Sequence, residues 1–112
     1  MVQILVIDDE EPIRKLLARI IELEGYKVST ASSCSDALQQ LRKQQYDVIL
    51  CDVFLPDGNG IDFIFDIKKY SNDSAIILLT AHGNIQDGVQ AIKNGAFDYI
   101  TKGDITERLF LL

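Results

Sequence analysis

Five polar residues in this chain have the types and the spacing that phosphoryl transfer requires. Asp8 and Asp9 follow the apolar run "QILVI", and Asp52 closes the run that begins "VILC". Thr80 closes "AIILL", and Lys102 follows "YIT". A transferring phosphoryl group can be positioned and neutralised by four kinds of group together: a metal ion held by carboxylates, an ammonium, a hydroxyl donor and a carboxylate nucleophile. In such a site Asp52 would attack phosphorus and become an acyl phosphate.

The crowding of acids in this set predicts a bound cation. If Asp8, Asp9 and Asp52 share one crevice, they repel each other, and without compensation one of them takes up a proton or the fold loses stability. Mg²⁺ prefers oxygen ligands and is usually held by one or two carboxylates. It keeps several waters that a phosphate oxygen can replace. The sequence therefore predicts a magnesium site.

The elements that must position these residues alternate along the chain. Apolar runs predict five strands, and apolar residues at helical spacing predict a helix after each of the first four. The predicted strands are residues 3–7, 27–31, 48–51, 75–79 and 99–101. The helical stripes are Ile13, Leu16, Leu17, Ile20 and Ile21; Ala37, Leu38 and Leu41; Ile61, Ile64 and Phe65; and Ile85, Val89 and Ile92. Residues 104–112 begin a fifth helix, shorter than such a domain needs.

This alternation predicts the α/β class. Strands separated by helices, with no hairpin signal between them, favour a parallel sheet covered on both faces by right-handed crossovers. The second strand ends in "ASS" and carries no comparable polar group, so we place it at an edge. The predicted strand order is 2-1-3-4-5, the flavodoxin-like order, with the site at the carboxyl ends of the strands. No linker or repeat divides residues 1–112, which predicts a single domain.

Composition and charge exclude several classes of protein. A formal net charge of -6 disfavours contact between this domain and nucleic acid or anionic lipid. The apolar runs are too short to span a bilayer, and "MVQILVIDDE" lacks the basic start of a signal peptide, so we expect a cytoplasmic protein. Cys34 and Cys51 have no metal-binding spacing and indicate buried thiols, while the lone His82 indicates a loop residue.

Each polar residue also has a plain structural interpretation. Acids before Pro12 are typical of a helix start, Thr80 alone is a strand end, and Lys102 alone is a surface charge. The run 57–60, "DGNG", is typical of a loop followed by a helix cap. The functional interpretation is favoured because the polar residues recur at the same end of one predicted sheet.

Four segments together resemble the receiver domain of two-component response regulators. They are "LVIDDE", "VILCDVFLPDGNGID", "IILLTAHG" and "GAFDYITK", in order and with compatible spacing over essentially the whole chain. The last part, "AHGNIQDGVQAIKNGAFDYITK", most resembles receivers of the nitrogen-regulation type, which are attached to enhancer-binding transcription activators. The resemblance implies a phosphorylation-dependent signalling switch that catalyses only its own phosphorylation and slow dephosphorylation.

The resemblance also assigns roles to residues and implies partners. It implies that Asp52 is the phosphoacceptor and that Lys102 pairs with the phosphoryl group. It implies that Asp9 binds Mg²⁺ directly, Asp8 binds it through water, and the Phe54 backbone carbonyl supplies a further metal oxygen. It implies that Thr80 and Tyr99 form the switch. The implied phosphoryl donor is a sensor histidine kinase or a phosphotransfer protein. The implied readers are an output domain or partner protein in transcription regulation, together with a phosphorylation-dependent homodimer.

Gly103 departs from the family pattern, which usually has proline after the lysine. A cis bond before a non-proline residue costs ~2.5–4 kcal/mol, which favours a trans peptide here.

Other classes of protein fit the sequence less well. A haloacid-dehalogenase-type phosphatase needs a second Asp where this chain has Phe54, and a nucleotide binder needs a glycine-rich turn where it has Asp-Asp-Glu. An interaction module that never turns over phosphate stays open, and labelling by acetyl phosphate distinguishes it from a phosphoacceptor.

Overall fold

The computed structural model describes residues 1–104 and shows the expected alternation of strands and helices. The elements are β1 Gln3–Ile7, α1 Glu11–Leu23, β2 Lys27–Ala31, α2 Cys34–Lys43, β3 Val48–Asp52, β4 Phe54–Leu55, β5 Gly58–Asn59, α3 Gly60–Tyr70, β6 Ala75–Thr80, α4 Ile85–Asn94 and β7 Asp98–Thr101. Residues 102–104 are helical. The remainder of the predicted fifth helix lies outside the described residues.

The five long strands form one parallel sheet in the order β2-β1-β3-β6-β7. Since β6 and β7 are the fourth and fifth strands predicted from the sequence, the order 2-1-3-4-5 is confirmed, with the second strand at an edge. Ile7 pairs with both Ala31 and Cys51, and Asp52 pairs with Leu79. The carboxyl ends of the central strands therefore meet at one rim.

Each face of the sheet packs into its own apolar layer, because successive strand residues point to opposite faces. In β1, Leu5 and Ile7 join the layer that contains α2 and α3 side chains, whereas Ile4 and Val6 join the layer that contains Leu17 of α1. This burial on both sides explains why the central strands are continuous apolar runs. Within residues 1–104, no helix is long and apolar enough to span a bilayer.

A short hairpin, β4–β5, interrupts the path from β3 to α3 and was not predicted. Its loop confirms the capping interpretation of residues 57–60. Asp57 accepts hydrogen bonds from the backbone N–H groups of Cys34 (2.8 Å) and Ser35 (3.0 Å), so it caps α2. Asn59 accepts from Ile61 N at 2.7 Å and caps α3.

The helices are confirmed, but not every residue used to predict them is buried. Leu16 is 39% exposed and Phe65 is 56% exposed. The stripe on α4 faces outward as a whole, with Ile85 85%, Val89 48% and Ile92 51% exposed. Ala91 is the buried residue of α4, because the helix approaches the sheet through small side chains.

The outward stripe of α4 lines a groove of about 770 Å³ beside β7. We call this surface, formed by Gly83, Ile85, Gly88, Val89, Ile92 and Tyr99, the α4–β7 face.

Candidate functional site

An acidic crevice lies at the carboxyl ends of β1, β3 and β7. Asp8 follows β1 and is fully buried, Asp52 is the last residue of β3 and is 3% exposed, and Lys102 follows β7 and is 8% exposed. The structure thus brings together three residues that are far apart in the sequence. Their burial rules out the surface-charge interpretation of Lys102.

Three carboxylate oxygens surround the Lys102 ammonium. Its Nζ lies 2.7 Å from Glu10 Oε1, 3.0 Å from Asp8 Oδ2 and 3.2 Å from Asp52 Oδ2. The shortest of these contacts was not predicted. Glu10 was visible as the third acid of the run "DDE", but helix-start acids are so common that its type alone indicated no partner.

Asp8 has the features of a cation ligand. Its Oδ1 accepts from Glu10 N at 2.8 Å. Its Oδ2 is buried and, although Lys102 Nζ lies at ion-pair distance, accepts no well-aligned hydrogen bond from residues 1–104. Asp8 Oδ2 is thus paired by charge with Lys102 but keeps unused accepting capacity, which a cation could occupy.

The neighbouring acids complete a set of oxygen donors. Asp8, Asp9, Glu10 and Asp52 each offer a carboxylate oxygen, and these oxygens all lie within 4.8 Å of one another. Asp9 and Glu10 are exposed, so solvent reaches the set from one side. Hard oxygen donors with an open side match the preference of a divalent cation that keeps waters.

The protonation states reflect the same crowding. Burial, reinforced by the charge of Asp8, raises the pKa of Asp52 to about 6, although Lys102 and the Phe54 N–H oppose the shift. Burial lowers the pKa of Lys102, but its contacts with Glu10 and Asp8 outweigh that effect and hold the pKa above its ordinary value. One ammonium therefore does not neutralise the crevice, and an added cation would favour ionised Asp52.

The Phe54 backbone lies beside the crevice, since its N–H donates to Asp52 Oδ1 at 3.3 Å. The assignment of its carbonyl as a metal ligand stays a prediction. No cis peptide occurs within residues 1–104, so the Lys102–Gly103 peptide is trans, as the missing proline suggested.

Thr80 lies at the carboxyl end of β6, Tyr99 lies on the α4–β7 face, and each contacts the loop between β6 and α4. Thr80 is 1% exposed at the end of β6, and its Oγ1 donates to the backbone carbonyl of His82 at 3.2 Å. The Tyr99 hydroxyl accepts from Asn84 N at 3.4 Å, and its ring lies over Gly88. His82 is an exposed loop residue, as predicted.

Gly60 has a role that its loop-like context did not reveal. A β-carbon built on Gly60 would lie 2.2 Å from the carbonyl oxygen of Asp52. Gly60 N also donates to Val53 O at 2.7 Å. Only glycine permits this approach, so α3 begins directly against the backbone of Asp52.

Comparison with known proteins decides the family. The profile described as the response regulator receiver domain matches residues 4–110. The chain belongs to this family. Among curated proteins, this receiver domain is 40% identical over 102 residues to the phosphate regulon transcriptional regulatory protein PhoB of Escherichia coli K12, covering 89% of the chain and 44% of PhoB. It is 35% identical to the E. coli K12 transcriptional regulatory protein ZraR, covering 90% of the chain and 23% of ZraR. The receiver domain thus spans less than half the length of these relatives.

Solved structures agree with the fold. A response regulator from Burkholderia pseudomallei, described with a phosphorylated aspartic acid, calcium ion and citrate, has a TM-score of 0.91 at 32% identity, covering 98% of this chain and 65% of that one. The beryllofluoride-activated NtrC4 receiver domain dimer has a TM-score of 0.90 at 41% identity, covering 99% of this chain and 92% of that one. The chain is therefore a signalling receiver domain similar to those of transcriptional regulators.

Proposed function

We propose that this receiver domain accepts a phosphoryl group on Asp52 in a Mg²⁺-dependent reaction. The observation that carries the proposal is the buried carboxylate of Asp52 with Lys102 Nζ at 3.2 Å beside three further acids. A phosphorylated aspartic acid and a divalent ion in the related Burkholderia protein support it.

The residues divide the chemistry between them. Asp8, Asp9, Asp52 and the Phe54 carbonyl would hold Mg²⁺, which when bound supplies positive charge to phosphoryl oxygens. A carboxylate oxygen of Asp52 attacks phosphorus, the bond from phosphorus to the donor's imidazole nitrogen breaks, and the electron pair leaves with the imidazole. The Lys102 ammonium neutralises charge on the transferring group.

Asp52 must be ionised to act as the nucleophile. With its pKa at about 6, most of the protein is ionised at neutral pH even without metal. Burial therefore raises the basicity of Asp52, yet most of its carboxyl groups remain ionised and able to attack phosphorus at neutral pH. Slow hydrolysis of the resulting acyl phosphate would return the domain to its starting state.

A change at Thr80 would convert the new phosphoryl group into a signal. The Thr80 hydroxyl leaves the His82 carbonyl and donates to a phosphoryl oxygen, which exists only after phosphorylation. The loop from His82 to Asn84 would then move, and Asn84 N is the group that contacts the Tyr99 hydroxyl. The lightly buried α4 can follow at modest cost.

The partners follow from the same reaction. The phosphoryl donor would be a phosphohistidine on a sensor kinase or a phosphotransfer protein. The phosphorylated state would be recognised by an output domain or partner protein that regulates transcription, as the names of PhoB and ZraR suggest for those relatives. The NtrC4 dimer supports a homodimer formed on phosphorylation. This domain itself, with a net charge of -6, would not contact nucleic acid.

Acetyl phosphate labelling with Mg²⁺, read by mass spectrometry, tests the proposal. We expect the wild-type protein to gain the mass of one phosphoryl group and Asp52→Asn to gain none, because an amide does not attack phosphorus and the other buried acid of the crevice, Asp8, is assigned to the metal. Asp62→Asn, which removes one exposed acid from α3, is the matched control and should label like the wild type. Undiminished labelling of Asp52→Asn refutes the assignment, and an unlabelled wild type indicates a pure interaction module.

A further inference from the structure

Glu10 has an unusual place in the acidic crevice because it is the most exposed partner of a buried lysine. The Glu10 side chain is 56% exposed, whereas those of Asp8, Asp52 and Lys102 are 0%, 5% and 9% exposed. Nevertheless, Glu10 makes the shortest contact with Lys102 Nζ, at 2.7 Å.

An ammonium has three N–H donors, and three carboxylate oxygens already lie within 3.2 Å of Lys102 Nζ. A phosphoryl oxygen on Asp52 is therefore not added to a vacant position. For Lys102 to pair with it, one of the existing partners must give way.

Glu10 is the partner that can leave at the lowest cost. Asp8 is fully buried and is one of the proposed Mg²⁺ ligands, so its carboxylate cannot turn away from Lys102 into water. Asp52 carries the new group and cannot leave. The Glu10 backbone is held, because its N–H donates to Asp8 Oδ1 at 2.8 Å, but its side chain can rotate into water, where its charge is solvated.

We propose that Glu10 is a displaceable partner of Lys102, which holds the ammonium in the unphosphorylated state and competes with the phosphoryl group for it. This inference rests on the proposed function of Asp52. Glu10 is a positioning residue that stabilises the unphosphorylated state, so it lowers the fraction of protein that carries a phosphoryl group at a given donor level.

Two substitutions separate the contact from the charge. Glu10→Asp keeps the charge but retracts the carboxylate by one methylene from Lys102, whereas Glu10→Gln keeps the length and removes the charge. Glu11→Gln is the control, because it removes an equal charge one residue away, from an exposed pair with Lys15.

Beryllofluoride affinity, titrated by amide NMR at saturating Mg²⁺ and fixed ionic strength, is the first measurement. We expect Glu10→Asp and Glu10→Gln both to bind this phosphoryl mimic about 1.5- to fivefold more tightly than the wild type, the range of a partly exposed charge contact. Glu11→Gln should bind as the wild type does. If Glu10→Asp binds as the wild type does, only the local charge matters and the competition is refuted.

NMR of the side chains themselves is the second measurement and does not depend on phosphorylation. In the metal-free wild type, the Lys102 ammonium protons should exchange slowly with water, and in Glu10→Asp they should exchange faster. When the wild type is saturated with beryllofluoride, the Glu10 carboxyl carbon should shift to the position of a solvated glutamate. An unmoved Glu10 signal overturns the inference.

Two further outcomes are distinguishable from these. If Glu10→Gln weakens Mg²⁺ binding in the absence of beryllofluoride, Glu10 is a metal ligand and the inference is wrong. If the wild type binds no beryllofluoride at all, the proposed function of Asp52 fails first. Normal binding by the wild type with unchanged variants refutes this inference alone.

Discussion

The acidic crevice and the α4–β7 face are built in opposite ways. In the crevice, Asp8, Asp52 and Lys102 are almost fully buried and interlocked by contacts of 3.2 Å or less. On the α4–β7 face, Ile85 and Ile92 are more than half exposed, and α4 has one buried residue, Ala91.

This difference suggests that the crevice and the α4–β7 face have different roles in the proposed switch. Segments with few buried contacts rearrange at low free energy, whereas densely packed ones do not. A rigid crevice can hold the reacting groups in place, and a lightly held helix can change position when one hydrogen bond changes. The substitutions below test whether the two regions really differ in this way.

Gly60→Ala should have the largest effect, because it acts on the rigid region. Its β-carbon would lie 2.2 Å from the Asp52 carbonyl oxygen and 3.1 Å from Leu78 Cδ1, so backbone must move. We expect a loss of about 3 kcal/mol in the free energy of unfolding. Chemical denaturation measures it.

Gly83→Ala is the matched control on the α4–β7 face. There the new β-carbon would meet Thr80 and Tyr99 carbons no closer than 3.5 Å, which is ordinary contact. We expect a change within about 0.5 kcal/mol. Equal losses at the two glycines would contradict the contrast between a rigid and a yielding region.

The pH dependence of stability should reveal the strain at Asp52. Its folded pKa of about 6 exceeds the ordinary 3.8, so the folded protein binds the extra proton between these values. Without metal, this group makes the wild type less stable as pH rises from about 4 through 6. Asp52→Asn lacks this loss, so its free energy of unfolding relative to the wild type should rise by about 2 kcal/mol between pH 4.5 and pH 7.5.

Parallel denaturation of the two proteins at pH 4.5 and 7.5 measures this difference. Saturating Mg²⁺ should shrink it at pH 7.5 by stabilising the wild type. A stability gap that is the same at both pH values would show that Asp52 is not electrostatically strained.

Thr80→Ala should change stability much less than Gly60→Ala and should change signalling most. The variant loses one hydrogen bond, to the His82 carbonyl, worth about 1 kcal/mol. Asp52 should still be phosphorylated, but the rearrangement over residues 85–102 should be largely lost. Amide shifts with and without beryllofluoride measure it, and wild-type shift changes along α4 and β7 would exclude Thr80 as the coupling residue.

Much of the fold was predictable because its signals are local. Short strand-forming runs of three to five residues can be recognised without knowledge of their neighbours, and a functional polar residue at the end of four of them marks the same edge of a parallel sheet. Asp8, Asp52, Thr80 and Lys102 were therefore placed correctly. The strand order followed because only the second strand lacked such a residue.

What the sequence by itself determined is thus the set of strands, their order and the residues at their carboxyl ends. Only the tertiary structure decided which atoms meet. Glu10 pairs with Lys102, which lies 92 positions away in the sequence, and Gly60 packs directly against the Asp52 carbonyl. The apolar stripe of α4 faces outward. These features depend on how distant elements approach each other, and a residue's type and spacing carry no information on that distance.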